Sequence, residues 1–275
     1  MKRLLAFSAF FFMLVALSLP SMAANGLSQS QAQTFLHESG LDALISSLPE
    51  TVEQQLNLKR LTETNQLKFD EAEAAITQAA KSIQTNDLAL NYLTTKVDAD
   101  KLTGALAFLA SPLGHRISLE EREASTPSAQ VEMQAYAMQM AQNPPPSERI
   151  KLVQRLTAAL NSDEVILTLM RGTFYSLLEI TEELNPEASV SLKEVLDSEW
   201  NKMEPMLNEQ FNQFMIMGAH YSYRNLSDED LNRYIEFLNT NSGKAYWSTG
   251  IQIVKLYLQQ FIKEMVTILE QEKQN

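Results

Sequence analysis

The amino-acid sequence predicts an all-α protein, a helical bundle built from two tandem, duplicated helical modules. The 275 residues include only 8 Gly and 9 Pro. Apolar residues recur three and four positions apart almost everywhere after residue 30, which is the period of an amphipathic helix, and alternating strand patterns are essentially absent. The duplication is inferred from two stretches that share one pattern and lie 129 residues apart.

The first 23 residues have the pattern of a cleaved signal peptide. Lys2 and Arg3 precede an apolar run over residues 4–19, and Ser21-Met22-Ala23 supplies small residues at the two positions that a signal peptidase recognises. A membrane anchor is the competing interpretation, but the run is shorter than the ~20 residues that span a bilayer. We therefore expect an exported chain that begins at Ala24 and resides in the periplasm.

Composition narrows the classes of function. The chain has no Cys, which excludes disulfides, thiolate catalysis and Cys-based metal sites. The formal net charge of −12 argues against nucleic acid and anionic membranes as partners, since both require basic surfaces. No membrane span is expected after signal cleavage, because the most apolar later stretch, residues 251–269, is interrupted by charged and amide side chains.

The strongest break in the helical pattern is the stretch AQNPPPSER. Three consecutive prolines cannot continue a helix, so residues 143–147 are predicted to form a stiff connector. This connector divides the mature chain into a first module, residues 24–142, and a second module, residues 148–275.

The duplicated pattern is Phe-Leu-x-[Ser/Thr]-x-x-Gly-basic, found in AFLASPLGHR at residues 107–116 and in EFLNTNSGKA at residues 236–245. Candidate N-caps precede both copies, and apolar stripes at i, i+4, i+7 follow these caps. Matching apolar spacing continues to residues 140 and 269. The paired positions are Asp98 and Ser227, Leu102 and Leu231, Leu106 and Ile235, and Leu109 and Leu238, with Asp163 and Ser191 as weaker N-cap candidates elsewhere.

The two pattern glycines, Gly114 and Gly243, are expected to serve helix packing. Ser111 and Thr240 would each cap a second helix that starts where the first one ends, and the glycine would let the preceding helix approach. In the alternative interpretation each glycine is a left-handed C-cap of the first helix. The N-cap interpretation further predicts that alanine at Gly243 is tolerated while leucine overpacks the contact.

Residues 226–247, LSDEDLNRYIEFLNTNSGKAYW, resemble a secreted bacterial family of unknown function. Its modules carry a Leu-[Ser/Thr]-x-x-Glu-Leu helix start followed by Phe-x-x-Ser-Pro-x-Gly-[Lys/Gln]. FLASPLGHRI matches the second part well; FLNTNSGKAY matches it with Asn241 in place of Pro, and VDADKL departs from the usual helix start. The resemblance implies a periplasmic or secreted helical bundle with no established activity, and it carries over no catalytic residues.

No metal or cofactor site is predicted. Of the Met and His side chains in FMIMGAHY, only Met217 and His220 could share a helix face.

Nor does the sequence predict an enzyme: it has no Gly-x-Ser-x-Gly elbow and no Gly-rich phosphate loop. The carboxylate pairs Glu120–Glu121 and Glu182–Glu183 are adjacent rather than facing, as on solvated helix faces.

Partner binding is the remaining class of function, and the many aromatic residues of the second module are the candidates for it. Core packing with hydroxyls at the rim explains most of them, whereas a groove for an apolar ligand or a peptide is the functional alternative. The candidate residues are Tyr221, Tyr223, Tyr234, Tyr246, Trp247 and Tyr257. We thus expect an exported, non-enzymatic protein with a binding or envelope-maintenance role, whose partner is an unknown protein or a small apolar ligand. A periplasmic hydrolase with dispersed residues and a self-associating structural protein are the alternatives.

Overall fold

A computed structural model describes residues 26–60, 66–83, 85–126, 128–160, 165, 167–172, 175 and 192–274. Within this part of the chain there are α-helices and no strand, so the all-α prediction is confirmed. The predicted signal peptide, the caps Asp163 and Ser191, and the pair Glu182–Glu183 lie outside the described residues. The helices are α1 Gln29–Glu38, α2 Leu41–Arg60, α3 Gln66–Ser82, α4 Thr85–Thr95, α5 Ala99–Leu109, α6 Pro112–Ala124, α7 Ala129–Gln142, α8 Ser147–Leu160, α9 Leu192–Ser222, α10 Asp228–Asn239 and α11 Asn241–Gln274.

Helix starts follow the side chains that can cap them. The Asp98 carboxylate accepts from the backbone N–H of Asp100 at the start of α5, and the Ser227 hydroxyl accepts from the N–H of Asp230 at the start of α10. Both cap residues have extended backbones, as N-caps require. Residues 143–146 of the predicted connector are not helical, but α8 already begins at Ser147, the last residue of the predicted range.

The two pattern glycines occupy equivalent places. Ser111 accepts from the N–H of Gly114 at 3.1 Å, and Thr240 accepts from the N–H of Gly243 at 3.0 Å. Among the described glycines only Gly40, after the end of α1, has a positive φ. The N-cap interpretation is therefore confirmed, and the left-handed C-cap is wrong.

The expectation that alanine fits at Gly243 is wrong. A Cβ there would overlap the carbonyl oxygen of Phe237 and lie 2.6 Å from the Cα of Leu238. At Gly114 a Cβ would overlap the carbonyl oxygen of Phe108 in the same way. The second helix of each pair starts so close to the end of the first that backbone meets backbone, and even a methyl group has no room.

The two halves diverge after α6. α6 ends at Ala124 and α7 begins at Ala129, whereas α11 runs unbroken through the matching residues 254–257. The interruption carries Thr126-Pro127, and a proline disfavours helical geometry in the residue before it. The matching apolar spacing that continues to residues 140 and 269 therefore does not correspond to the same chain of helices beyond Ala124.

One buried core joins the two halves of the chain. Leu93, Leu102 and Ala105 from the first half belong to the same cluster as Leu231 and Ile253 from the second. The final helix α11 packs along α2, α3, α4 and α5 as well as against α10. Within the described ranges, no helix is apolar over a stretch long enough to cross a bilayer.

Candidate functional site: a buried carboxylate among tyrosines

The turn between α9 and α10, residues 223–227, is the best-anchored corner of the second half, and we call it the corner. Arg149 of α8 donates to the carbonyl oxygen of Tyr223 at 2.6 Å and to the carboxylate of Asp228 at 2.7 Å. From the other side, the amide of Asn225 donates to Glu120 of α6 at 3.0 Å. The corner is thereby clamped between α8 and α6.

Glu121 makes the most buried polar contact in this region. The hydroxyl of Tyr223 donates to its Oε1 at 2.6 Å, and the hydroxyl of Tyr234 donates to the same oxygen at 3.0 Å. Tyr223 is 6 % exposed and Tyr234 is 1 % exposed, so the carboxyl group points inward although Glu121 as a whole is half-buried. The expectation that Glu120 and Glu121 form a solvated face is wrong for Glu121.

Burial governs the electrostatics of this group. It raises the pKa of Glu121, and the two tyrosine hydrogen bonds oppose that rise without cancelling it. Burial likewise raises the pKa values of Tyr223, Tyr234 and Tyr246 well above the ordinary value for tyrosine, and the Glu121 carboxylate adds to each rise. The three tyrosines therefore stay neutral and serve Glu121 as hydrogen-bond donors or as apolar cover.

Ring stacking encloses this tyrosine cluster, by which we mean Glu121, Tyr223, Tyr234 and Tyr246. Phe108 of α5 stacks on Phe237 of α10 with ring centroids 3.7 Å apart. The Tyr234 ring lies nearly parallel to both of them, and Tyr223 meets it edge-on at 6.0 Å. Phe108 and Phe237 hold matching positions in the two patterns, so the patterns meet ring to ring beside the carboxylate.

The other tyrosine predicted near this place, Tyr221, has a separate set of partners. Its hydroxyl donates to Glu132 of α7 at 2.7 Å, and the guanidinium of Arg224 lies 4.1 Å from its ring centroid. Tyr136 of α7 packs against it edge-on. Burial, and next the hydrogen bond to Glu132, raise the pKa of Tyr221. Tyr221 fastens α7 to the end of α9.

Trp247 and Tyr257 lie along α11, apart from these hydrogen bonds. The indole N–H of Trp247 and the hydroxyl of Tyr257 are buried without a hydrogen-bond partner among the described residues. Tyr257 stacks on Phe261 and belongs to the shared core, and burial raises its pKa. Five of the six predicted residues are thus buried, with Trp247 half-buried; their role toward a ligand or partner stays a prediction.

His220, at the end of α9, is a second buried titratable group. It is 3 % exposed, and burial lowers its pKa, with a further contribution from the positive charge of Arg149. In the part of the chain that the structure describes, no group of three or more His, Asp or Glu residues is placed to hold a metal ion.

An open depression lies elsewhere, between α2 and α3. Its volume is about 720 Å³, and it is lined by Glu53, Glu73, Ala74, Thr77, Gln78, Lys81 and Ser82. None of the tyrosines borders it. The depression therefore gives no access to the buried carboxylate.

Comparison with known protein families gives a match over part of the chain that includes Glu121. A family described as an uncharacterized protein conserved in bacteria (DUF2059) matches residues 86–143. No curated protein and no solved structure is significantly similar to the chain. The matched range includes the first pattern and Glu121 and stops before the second pattern. Over α4 to α7, the chain is similar to a bacterial family whose activity is not characterised.

Proposed function

We propose that this protein is exported to the periplasm and acts without catalysis, by binding another molecule in the service of the cell envelope. The observation that carries this proposal is the enclosure of Glu121. A general acid or base must come within hydrogen-bond reach of the substrate atom on which it acts. The ring and hydroxyl contacts of Tyr223 and Tyr234 occupy that space around the carboxyl oxygen.

The outer surface supports a binding role. Val131 and Met138 lie seven residues apart on one face of α7 and are 72 % and 68 % exposed, and Phe214 of α9 is 55 % exposed. Apolar side chains that lie together at the surface, unlike single exposed ones, are characteristic of surfaces that meet other molecules, and Val131 and Met138 share one face. Methionine adds adaptability, because its unbranched side chain fits irregular partners. An unknown protein or a small apolar ligand fits such a surface.

The duplication belongs to the same proposal. α5–α6 and α10–α11 begin with matching caps, and their glycines lie against matching backbone atoms. These correspondences support an ancestral helix pair that was copied, with one copy inside each of the modules 24–142 and 148–275. The later course of each copy then diverged, since α11 is continuous where the first copy is interrupted.

Export predicts a defined mature terminus. Protein recovered from the periplasmic fraction should begin at Ala24, because Ser21-Met22-Ala23 is the well-placed cleavage site after the apolar run. Mass spectrometry of the intact mature chain checks this expectation. Recovery of a chain that retains Met1, in the membrane fraction, would contradict it and favour the anchor.

The non-enzymatic role predicts that Glu121 is dispensable for function at neutral pH. A strain that lacks the protein should be more sensitive to detergent if the role is envelope maintenance, and plasmid-borne wild type should restore resistance. Glu121→Gln should restore it equally, because glutamine keeps an acceptor for the tyrosine hydroxyls. Detergent sensitivity in a plating assay is the measurement.

Glu120→Gln is the matched control, since it alters the neighbouring carboxylate that bonds Asn225 at the surface. Both variants must first be shown to accumulate like wild type in the periplasm. Failure of Glu121→Gln alone, at normal abundance, would instead support catalysis by this carboxyl group. Wild-type detergent resistance in the strain that lacks the protein would contradict the envelope role.

A further inference from the structure

Glu121 joins segments that are far apart in the sequence. It lies on α6, while its hydrogen-bond donors Tyr223 and Tyr234 belong to the corner and to α10. Beside it, Glu120 holds Asn225 of the same corner. The last turns of α6 are therefore held to the corner by two consecutive carboxylates: that of Glu121 is buried, and Glu120 is half-buried.

The buried carboxyl group has no cationic partner. Among the described residues it forms no ion pair with Lys, Arg or His, and Arg149 binds the backbone oxygen of Tyr223 rather than the carboxylate. Within the part of the chain that the structure describes, two neutral hydroxyls are its only hydrogen-bond donors. An ionised carboxylate in such surroundings loses its hydration without gaining a countercharge, and this costs free energy. The protonated form carries no charge and avoids that cost.

Several titratable groups around α6 stay neutral or are paired with another residue. From α11, Tyr246 faces the carboxylate, with a pKa that burial holds well above its ordinary value. From α5, Phe108 is uncharged, and from α9, His220 is buried with its pKa lowered. Three charged neighbours are paired: Glu38 of α1 with His115, Glu132 of α7 with Tyr221, and Asp230 of α10 with Arg116. Arg122 follows Glu121 on α6; among the described residues it forms no ion pair with that carboxylate, and its buried Nε has no hydrogen-bond partner.

We propose that Glu121 is a pH-responsive clasp, which holds α6 to the corner when it is protonated and loosens that contact when it ionises. The protonated carboxyl group accepts from both tyrosine hydroxyls through Oε1 without placing a charge among the rings. On ionisation the charge favours contact with water, and the nearest route to water is separation of α6 from Tyr223 and Tyr234. An exported protein meets the pH of its surroundings, so the use of such a clasp rests on the proposed export.

The sign of the effect follows from proton linkage. Because the pKa of Glu121 is raised on folding, its contribution to stability is fully present below its ordinary value near 4.5 and is lost as pH rises through the folded value. His220 acts in the opposite direction: its folded pKa is lowered, so its contribution is present above 6.5 and is lost as pH falls. A difference between wild type and a Glu121 variant cancels the histidine and isolates the clasp.

The test compares purified wild type, Glu121→Gln and Glu120→Gln between pH 5 and pH 8. Glutamine imitates the protonated carboxyl group, so the stability advantage of Glu121→Gln over wild type should be smallest at pH 5 and largest at pH 8. Each unit by which the folded pKa exceeds the ordinary one corresponds to a tenfold change in the unfolding equilibrium constant. Urea unfolding measures that constant, and hydrogen exchange, corrected for intrinsic rates, shows whether residues 112–124 and 223–227 lose protection together.

The outcomes are distinct. A ratio of unfolding constants, wild type to Glu121→Gln, that rises with pH supports the clasp, provided that the ratio for Glu120→Gln stays flat. A Glu121 ratio that does not change with pH overturns it. If Glu121→Gln does not fold, Tyr223→Phe decides: removal of one donor to the anion should steepen the loss of stability with pH, and an unchanged slope overturns the proposal. The purified protein gives these results whether or not the chain is exported.

Discussion

Gly243→Ala should lower the free energy of unfolding by about 3 kcal/mol, the upper end of the range for overpacking. The added methyl group would overlap the carbonyl oxygen of Phe237 and press on the Cα of Leu238. Neither atom belongs to a side chain that can rotate away, so the junction of α10 and α11 must open. Urea unfolding of the purified variant measures the loss, and Gly114→Ala should behave similarly at the junction of α5 and α6.

Gly218→Ala is the matched control, because a Cβ at that helical position in α9 meets nothing within 4 Å. Replacement of a helical glycine by alanine in open space should stabilise the protein by ~0.4–1 kcal/mol. A Gly243→Ala protein that unfolds like wild type would show that the two helices are not in backbone contact. The close approach of both helix pairs would then be wrong.

Tyr234→Ala should cost ~3–5 kcal/mol, as expected for removal of a large buried ring. Tyr234 is 1 % exposed, stacks beside Phe108 and Phe237, and donates to Glu121. Its removal leaves a cavity where the two patterns meet and deprives the carboxyl group of one of two donors. The midpoint and slope of urea unfolding, taken at pH 6, give the size of the loss.

Two further variants separate the ring from the hydroxyl. Tyr234→Phe keeps the stacking and loses one hydrogen bond, for which we expect about 1 kcal/mol. Leu119→Ala, on the exposed side of α6, should change stability by no more than about 0.5 kcal/mol. Equal losses for Tyr234→Phe and Tyr234→Ala would contradict the central place of the ring in the core.

Features governed by neighbouring residues were predictable from the sequence. Helical periodicity, the caps Asp98 and Ser227, and the break at the three prolines all depend on local chemistry, and the structure confirms them. The interruption after α6 also has a local cause, Thr126-Pro127, which has no counterpart in the second half. Apolar spacing alone does not predict this interruption, because the same spacing suits one long helix or two shorter ones.

The buried carboxylate could not be predicted in this way. Glu121 lies 102 residues from Tyr223 and 113 from Tyr234, and its immediate neighbours are the charged residues of an ordinary exposed helix. Nor does an apolar stripe reveal how closely two backbones approach, so alanine at Gly243 seemed acceptable. Both errors concern distances between segments, which pattern and propensity do not encode.

The packing of α11 has a consequence for how the chain acquires its fold. The helices α3, α4 and α5 find part of their core only in the last 34-residue helix, so contacts essential to the first half have very high contact order. As the chain is synthesised from its N-terminus, α3, α4 and α5 can already contact α1, α2 and α6, but they lack the partner that α11 supplies. The part of the core that joins the two halves can therefore form only after the last helix has been synthesised.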